Sequence, residues 1–93
     1  MRTAFPDDER PYFLWDERRT TRELREALAR ATREEKAQLL GKVLREARDP
    51  DVWAFTTPSE VIELFPLIER YLGRRRAFWQ YLVKAWGGDD SAR

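Results

Sequence analysis

Two chemically versatile residues are missing from this chain of 93 residues: there is no cysteine and no histidine. Without cysteine, no disulfide or thiolate metal site can staple the fold, which suits a reducing compartment. Without histidine, the commonest general base and the commonest metal ligand are gone, and with cysteine goes the strongest nucleophile. Glycine is scarce as well. The four glycines, Gly41, Gly73 and the Gly87-Gly88 pair, form no glycine-rich phosphate loop. The apolar runs are far too short to cross a bilayer. Met1–Arg10 mixes acids and bases where a signal peptide would carry an apolar stretch. The expectation is a cytoplasmic protein that is not an enzyme, with no catalytic residue, cofactor, metal or membrane association. Asp7-Asp8-Glu9 and Asp89-Asp90 would bind a hard cation only if both ends of the chain were ordered.

What remains is a small, charged and aromatic chain. The apolar share is 42%, including four Trp, five Phe and three Tyr, so a packed core is expected even though 38% of residues are charged. Ninety-three residues suffice for one domain with little margin. The net charge of +1 creates no global field for a polyanion. Its distribution is uneven: Asp51–Pro66 holds three acids and no base, while Leu67–Gly88 holds five bases against Glu69 alone. Arginine outnumbers lysine fifteen to three, which fits a surface rich in salt bridges.

Helix signals dominate. Thr20 precedes Glu23, Thr32 precedes Glu35 and Thr57 precedes Glu60, each at the capping-box spacing that satisfies first-turn N–H groups. Pro58 occupies a first helical position, where its missing N–H costs nothing. The spacing predicts helices over Thr21–Arg30, Arg33–Arg48 and Pro58 to near Phe65, where Pro66 should break, kink or restart the chain. A stub over Val52–Phe55, a turn over Leu67–Leu72 with Gly73 as its left-handed cap, and a last helix over Arg74–Trp86 complete the set. No strand reads clearly. The fold class is all-α: a single-domain bundle of four to five short helices over residues 12–86. Residues 1–11 read as a flexible arm and 87–93 as a polar tail. Tyr12-Phe13-Leu14-Trp15 should fold back on the helices as a clasp, since four large apolar residues are costly to leave in water.

The last helix carries the most informative residues. On a helical wheel, Phe78, Trp79, Leu82, Val83 and Trp86 share one broad face, with Tyr81 and Ala85 at its flank. That face reads as core. Arg76, Gln80 and Lys84 point the other way. Arg74, Arg75 and Arg76 stand at the positive end of the helix dipole, an unfavourable placement that wants compensation. Two sources are open: internal pairing, with Glu60, Glu63, Glu69 or the acids near Trp15, and an external anion or acidic partner. A DNA recognition helix would show polar side chains, and here only Arg76, Gln80 and Lys84 qualify. Trp15, Trp53 and Trp86 are further candidates, as aromatics that a small core leaves over for an interface.

The segments "YFLWDE", "VLREARDPDVW" and "LGRRRAFWQYLVKAW" together resemble a group of small uncharacterised bacterial all-helical proteins. Members of that group open with a Tyr/Phe-Leu/Phe-Trp-Asp motif and close with a Phe-Trp-containing helix. The resemblance spans about Pro11–Trp86. Genes for these proteins often lie beside genes for abortive-infection-type nucleotidyltransferases, the toxin class of some toxin–antitoxin pairs. The resemblance implies a non-catalytic protein-interaction module, an antitoxin-like or accessory partner of a nucleotidyltransferase-like protein. It assigns no functional residue. The alternative is a small nucleic-acid-binding regulatory protein using Arg74, Arg75 and Arg76, and self-association into a homo-oligomer is a further option.

Overall fold

Local capping starts the first two helices as the sequence demands. The computed structural model describes residues 6–14 and 16–86. Helix α1, Thr21–Arg30, and helix α2, Arg33–Glu46, both open on complete capping boxes. Thr20 Oγ1 accepts the Glu23 N–H and Thr32 Oγ1 accepts the Glu35 N–H, while each glutamate accepts the N–H of its threonine. At Ala47 the backbone turns extended and ends α2 two residues before the predicted Arg48 boundary. Helix α3, Asp49–Val52, is a single turn with Pro50 inside its start. Helix α4, Pro58–Ile68, begins at Thr57, whose Oγ1 accepts the Glu60 N–H. Two 3-10 turns, Glu69–Tyr71 and Gly73–Arg75, lead into helix α5, Arg76–Ala85. Every regular element among the described residues is helical, so the chain is an all-α domain.

Two expectations are corrected in α4. Pro66 does not end the helix, which runs on to Ile68. One hydrogen bond is forfeited there, but Val61, Leu64, Phe65 and Ile68 are all buried and hold the turn by packing. The third capping box is also half-built. Glu60 does not reach back to Thr57; it accepts from Thr56 Oγ1 at 2.6 Å and from Lys36 Nζ at 3.0 Å. Burial raises the Glu60 carboxyl, and these two donors outweigh that and hold it below its ordinary value.

Helix α2 is the hub, packed against α1, α3, α4 and both 3-10 turns. Its buried stripe of Ala37, Leu40, Val43 and Leu44 meets Leu24 of α1 and Val61, Leu64 and Ile68 of α4 in one core. Gly41 lets the turn approach: a Cβ at that position would overlap the Cβ of Tyr71.

The expected clasp is present where it is described. Phe13 and Leu14 are buried, and Phe13 meets Phe55 edge-on at 5.5 Å. Tyr12 binds the end of α2, where backbone groups run out of helical partners. Its hydroxyl accepts the Arg48 N–H at 2.6 Å and donates to Asp51 at 2.7 Å. Lys42 donates to Glu17 at 2.6 Å and to Asp16. Over residues 6–10, the segment expected as a flexible arm is hydrogen-bonded to the start of α1. The Thr21 N–H donates to Glu9 O at 2.8 Å and the Arg22 N–H to Asp7 O at 3.0 Å. These bonds satisfy first-turn donors of α1 that have no partner within the helix.

Candidate interaction surface

The predicted start of the last helix shifts by two residues, from Arg74 to Arg76, and this changes the meaning of the arginines. Gly73 adopts φ +55°, the left-handed region expected of it. The 3-10 turn then takes up Arg74 and Arg75, so α5 opens only at Arg76. Arg75 pairs with Asp49 across the fold and lays its guanidinium 4.7 Å from the centre of the Phe78 ring. The Arg76 Nε donates to Glu69 at 3.2 Å, and Gln80 donates to the same carboxylate. The Gln80 hydrogen bond, joined by Arg76, holds Glu69 below the usual carboxylate range. Arg74 and Lys84 are exposed and make no ion pair with a described residue. Of the other partners expected for the triplet, Glu60 binds Lys36, Glu63 binds Arg33, and Asp16 and Glu17 bind Lys42.

The aromatic face of α5 is also corrected. Trp79 is fully buried and donates from its indole N–H to Leu44 O at 3.0 Å. That carbonyl lies in the last turn of α2, where the Arg48 N–H has gone to Tyr12 instead. Val83 is buried and Leu82 half-buried. Phe78 and Trp86, expected inside, are 37% and 38% exposed, and Tyr81 is 70% exposed. The reason is geometric. α5 packs against α4 and the two 3-10 turns, and Trp79 reaches from it to Leu44 of α2 and the Trp53 ring. Phe78 points about a hundred degrees round the helix from Trp79 and falls at the rim, Tyr81 points nearly the opposite way, and Trp86, close to the direction of Trp79, lies past the last residue of α5.

Trp53 and Trp86, both named as interface candidates, are brought together. Their rings meet at 5.7 Å, and Trp53 lies 6.0 Å from Trp79, with its own exposure at 37%. Trp15 lies outside the described residues, as do Met1–Phe5 and residues 87–93. The sequence reading missed Phe78 and Tyr81 as surface groups and Asp49 as an arginine partner. A signal for the first was available: between Ala77 and Trp86 only Gln80 and Lys84 are polar, more apolar surface than one helix face can bury.

An open groove of about 680 Å³ runs between α1 and α2, lined in part by Arg19, Arg30, Leu39, Lys42 and Tyr71. Lys42 there is neutralised by Asp16 and Glu17, and Arg45 by Glu46 and the Tyr71 carbonyl. Among the described residues no group of three His, Cys, Asp or Glu side chains could hold a metal ion, and no helix is long and apolar enough to cross a membrane. No protein-family model, curated protein or solved structure matches the chain.

Proposed function

We propose that the chain is a non-catalytic protein-interaction module, the antitoxin-like accessory partner of a nucleotidyltransferase-type protein. One observation carries the interaction reading: Tyr81 is 70% exposed and Phe78 partly so on a helix whose core contact is already made by Trp79 and Val83. Large rings exposed beside one another, rimmed by charge, are the kind of surface that small domains use for contact. The kind of partner comes from the family resemblance alone. Nucleic acid is less well supported, because two arginines of the triplet, Arg75 and Arg76, are engaged with Asp49 and Glu69.

The test is co-expression with the products of the genes flanking its own. A one-to-one complex on gel filtration with a nucleotidyltransferase-type neighbour is expected, together with relief of any growth defect that neighbour causes. If no flanking product co-elutes, the antitoxin-like assignment is lost. Titration with duplex DNA and RNA across a salt series separates the alternative. Binding that falls steeply with salt, and vanishes when Arg74, Arg75 and Arg76 become alanine, would assign the chain to nucleic acid.

A further inference from the structure

We infer that the outer face of α5 seats an acidic amphipathic helix of a partner protein, an inference that rests on the interaction-module reading and specifies its surface. The face is built on Phe78, Tyr81 and Ala85, spaced i, i+3 and i+7, the spacing of a helix–helix seam. Ala77 lies one turn before Tyr81 on the same side and Ala85 one turn after it, and both are exposed. Small side chains on either side of a large ring leave room for the ridge of an opposing helix.

Charge decides what kind of helix fits. Arg74 lies in the 3-10 turn that leads into α5, four residues before Phe78, and Lys84 lies beside Tyr81 on the helix. Neither has an ionic partner among the described residues, and the acids within reach of this end, Asp49 and Glu69, are already taken by Arg75, Arg76 and Gln80. Arg70 adds a third exposed cation without an ion pair among those residues. The rim is therefore positive, and its complement is acidic. A second copy of this chain fits poorly. Antiparallel pairing of two α5 helices would set Arg74 against Lys84, and parallel pairing would set like against like. A single-stranded nucleic acid needs successive ring faces to stack on. Here Arg75 covers the Phe78 ring, while Trp53 and Trp86 pack edge to face. Of the rings at this end, Tyr81 has no ring contact with a described residue.

The inference is tested by selecting from a displayed library of random peptides, about five helical turns long, against the immobilised full-length chain. Enriched peptides are expected to carry large apolar side chains at i, i+3 or i+4, and i+7, flanked by Asp or Glu. Their affinity should fall at least tenfold with Tyr81→Glu, and likewise with the double change Arg74→Glu and Lys84→Glu. Lysine in place of glutamate in the peptide should restore binding to that double variant. All three side chains are exposed, so the variants should melt with the wild type. Several results would overturn the inference. Peptides that bind Tyr81→Glu as well as wild type dock elsewhere, and then the interaction reading stands while this surface falls. Enrichment of basic or uncharged peptides, or of none, removes the charge argument. Tyr81-dependent self-association in sedimentation identifies a second copy as the occupant, and Tyr81-dependent binding of a uridine oligonucleotide identifies RNA. A tenfold gain in peptide affinity on changing Asp89 and Asp90 to asparagine makes the chain's own tail the occupant.

Discussion

The Trp79 indole N–H and the Tyr12 hydroxyl do one job between them: they satisfy backbone groups that the end of α2 leaves unpaired, Leu44 O and the Arg48 N–H. Changing Trp79 to Phe strands a buried carbonyl, which should cost about 1–3 kcal/mol before any loss of packing. A urea titration comparing midpoints at constant slope measures it. Gly41→Ala should be destabilising by about 1–3 kcal/mol, because the new methyl overlaps Tyr71 and the 3-10 turn must move. If the variant matches wild type in the same titration, the close approach of that turn is not structural. Neither position announces itself in the sequence. Gly41 lies inside an apolar helical run, and its partner is thirty residues away. The same holds for Asp49, whose pairing with Arg75 joins residues 26 apart. Spacing within a helix says nothing about such meetings.

At the scale of the element, the threonine caps are the most transferable feature. Thr20→Ala and Thr32→Ala should each lower stability by about 1 kcal/mol, read from thermal melts. Both caps were legible because a capping box needs only four consecutive residues. The third was legible by half: Thr57 caps α4, but Glu60 is drawn to Lys36 on α2, a contact that no local pattern encodes. Pro66 shows the reverse. The local rule offers a break, a kink or a new turn, and burial of the helix face on either side carries the helix through to Ile68 without a break. The rotation of α5 was the least legible. A wheel ranks residues by direction, but how much of the face is covered depends on where α4 and the turns lie. That is why Phe78, on the face a wheel turns inward, and Tyr81, at its flank, stand at the rim and at the surface.

For the whole molecule, the all-α class follows from the caps and the absence of a strand pattern, while the charge ledger becomes readable only in the folded chain. Glu60 and Glu69 are both held below their ordinary value of 4.5 by hydrogen bonds and neighbouring cations. A depressed folded value means that the unfolded chain binds the proton more readily. Their contribution to stability is therefore complete above 4.5 and is lost as pH falls through the lower folded values. Urea midpoints should stay level from neutrality to about pH 5, fall below that, and fall less in Glu69→Gln. A midpoint that rises on acidification would contradict the assignment. The tryptophan cluster has a consequence of another kind. The Trp79 and Trp86 rings each lie within 6.0 Å of the Trp53 ring, close enough for electronic transitions to couple and for excitation to pass through Trp53. Two of the three also touch solvent at the edge of α5. The domain thus carries its own optical reporter, and a partner settling against that edge should shift the near-ultraviolet dichroism and the emission maximum without any added label.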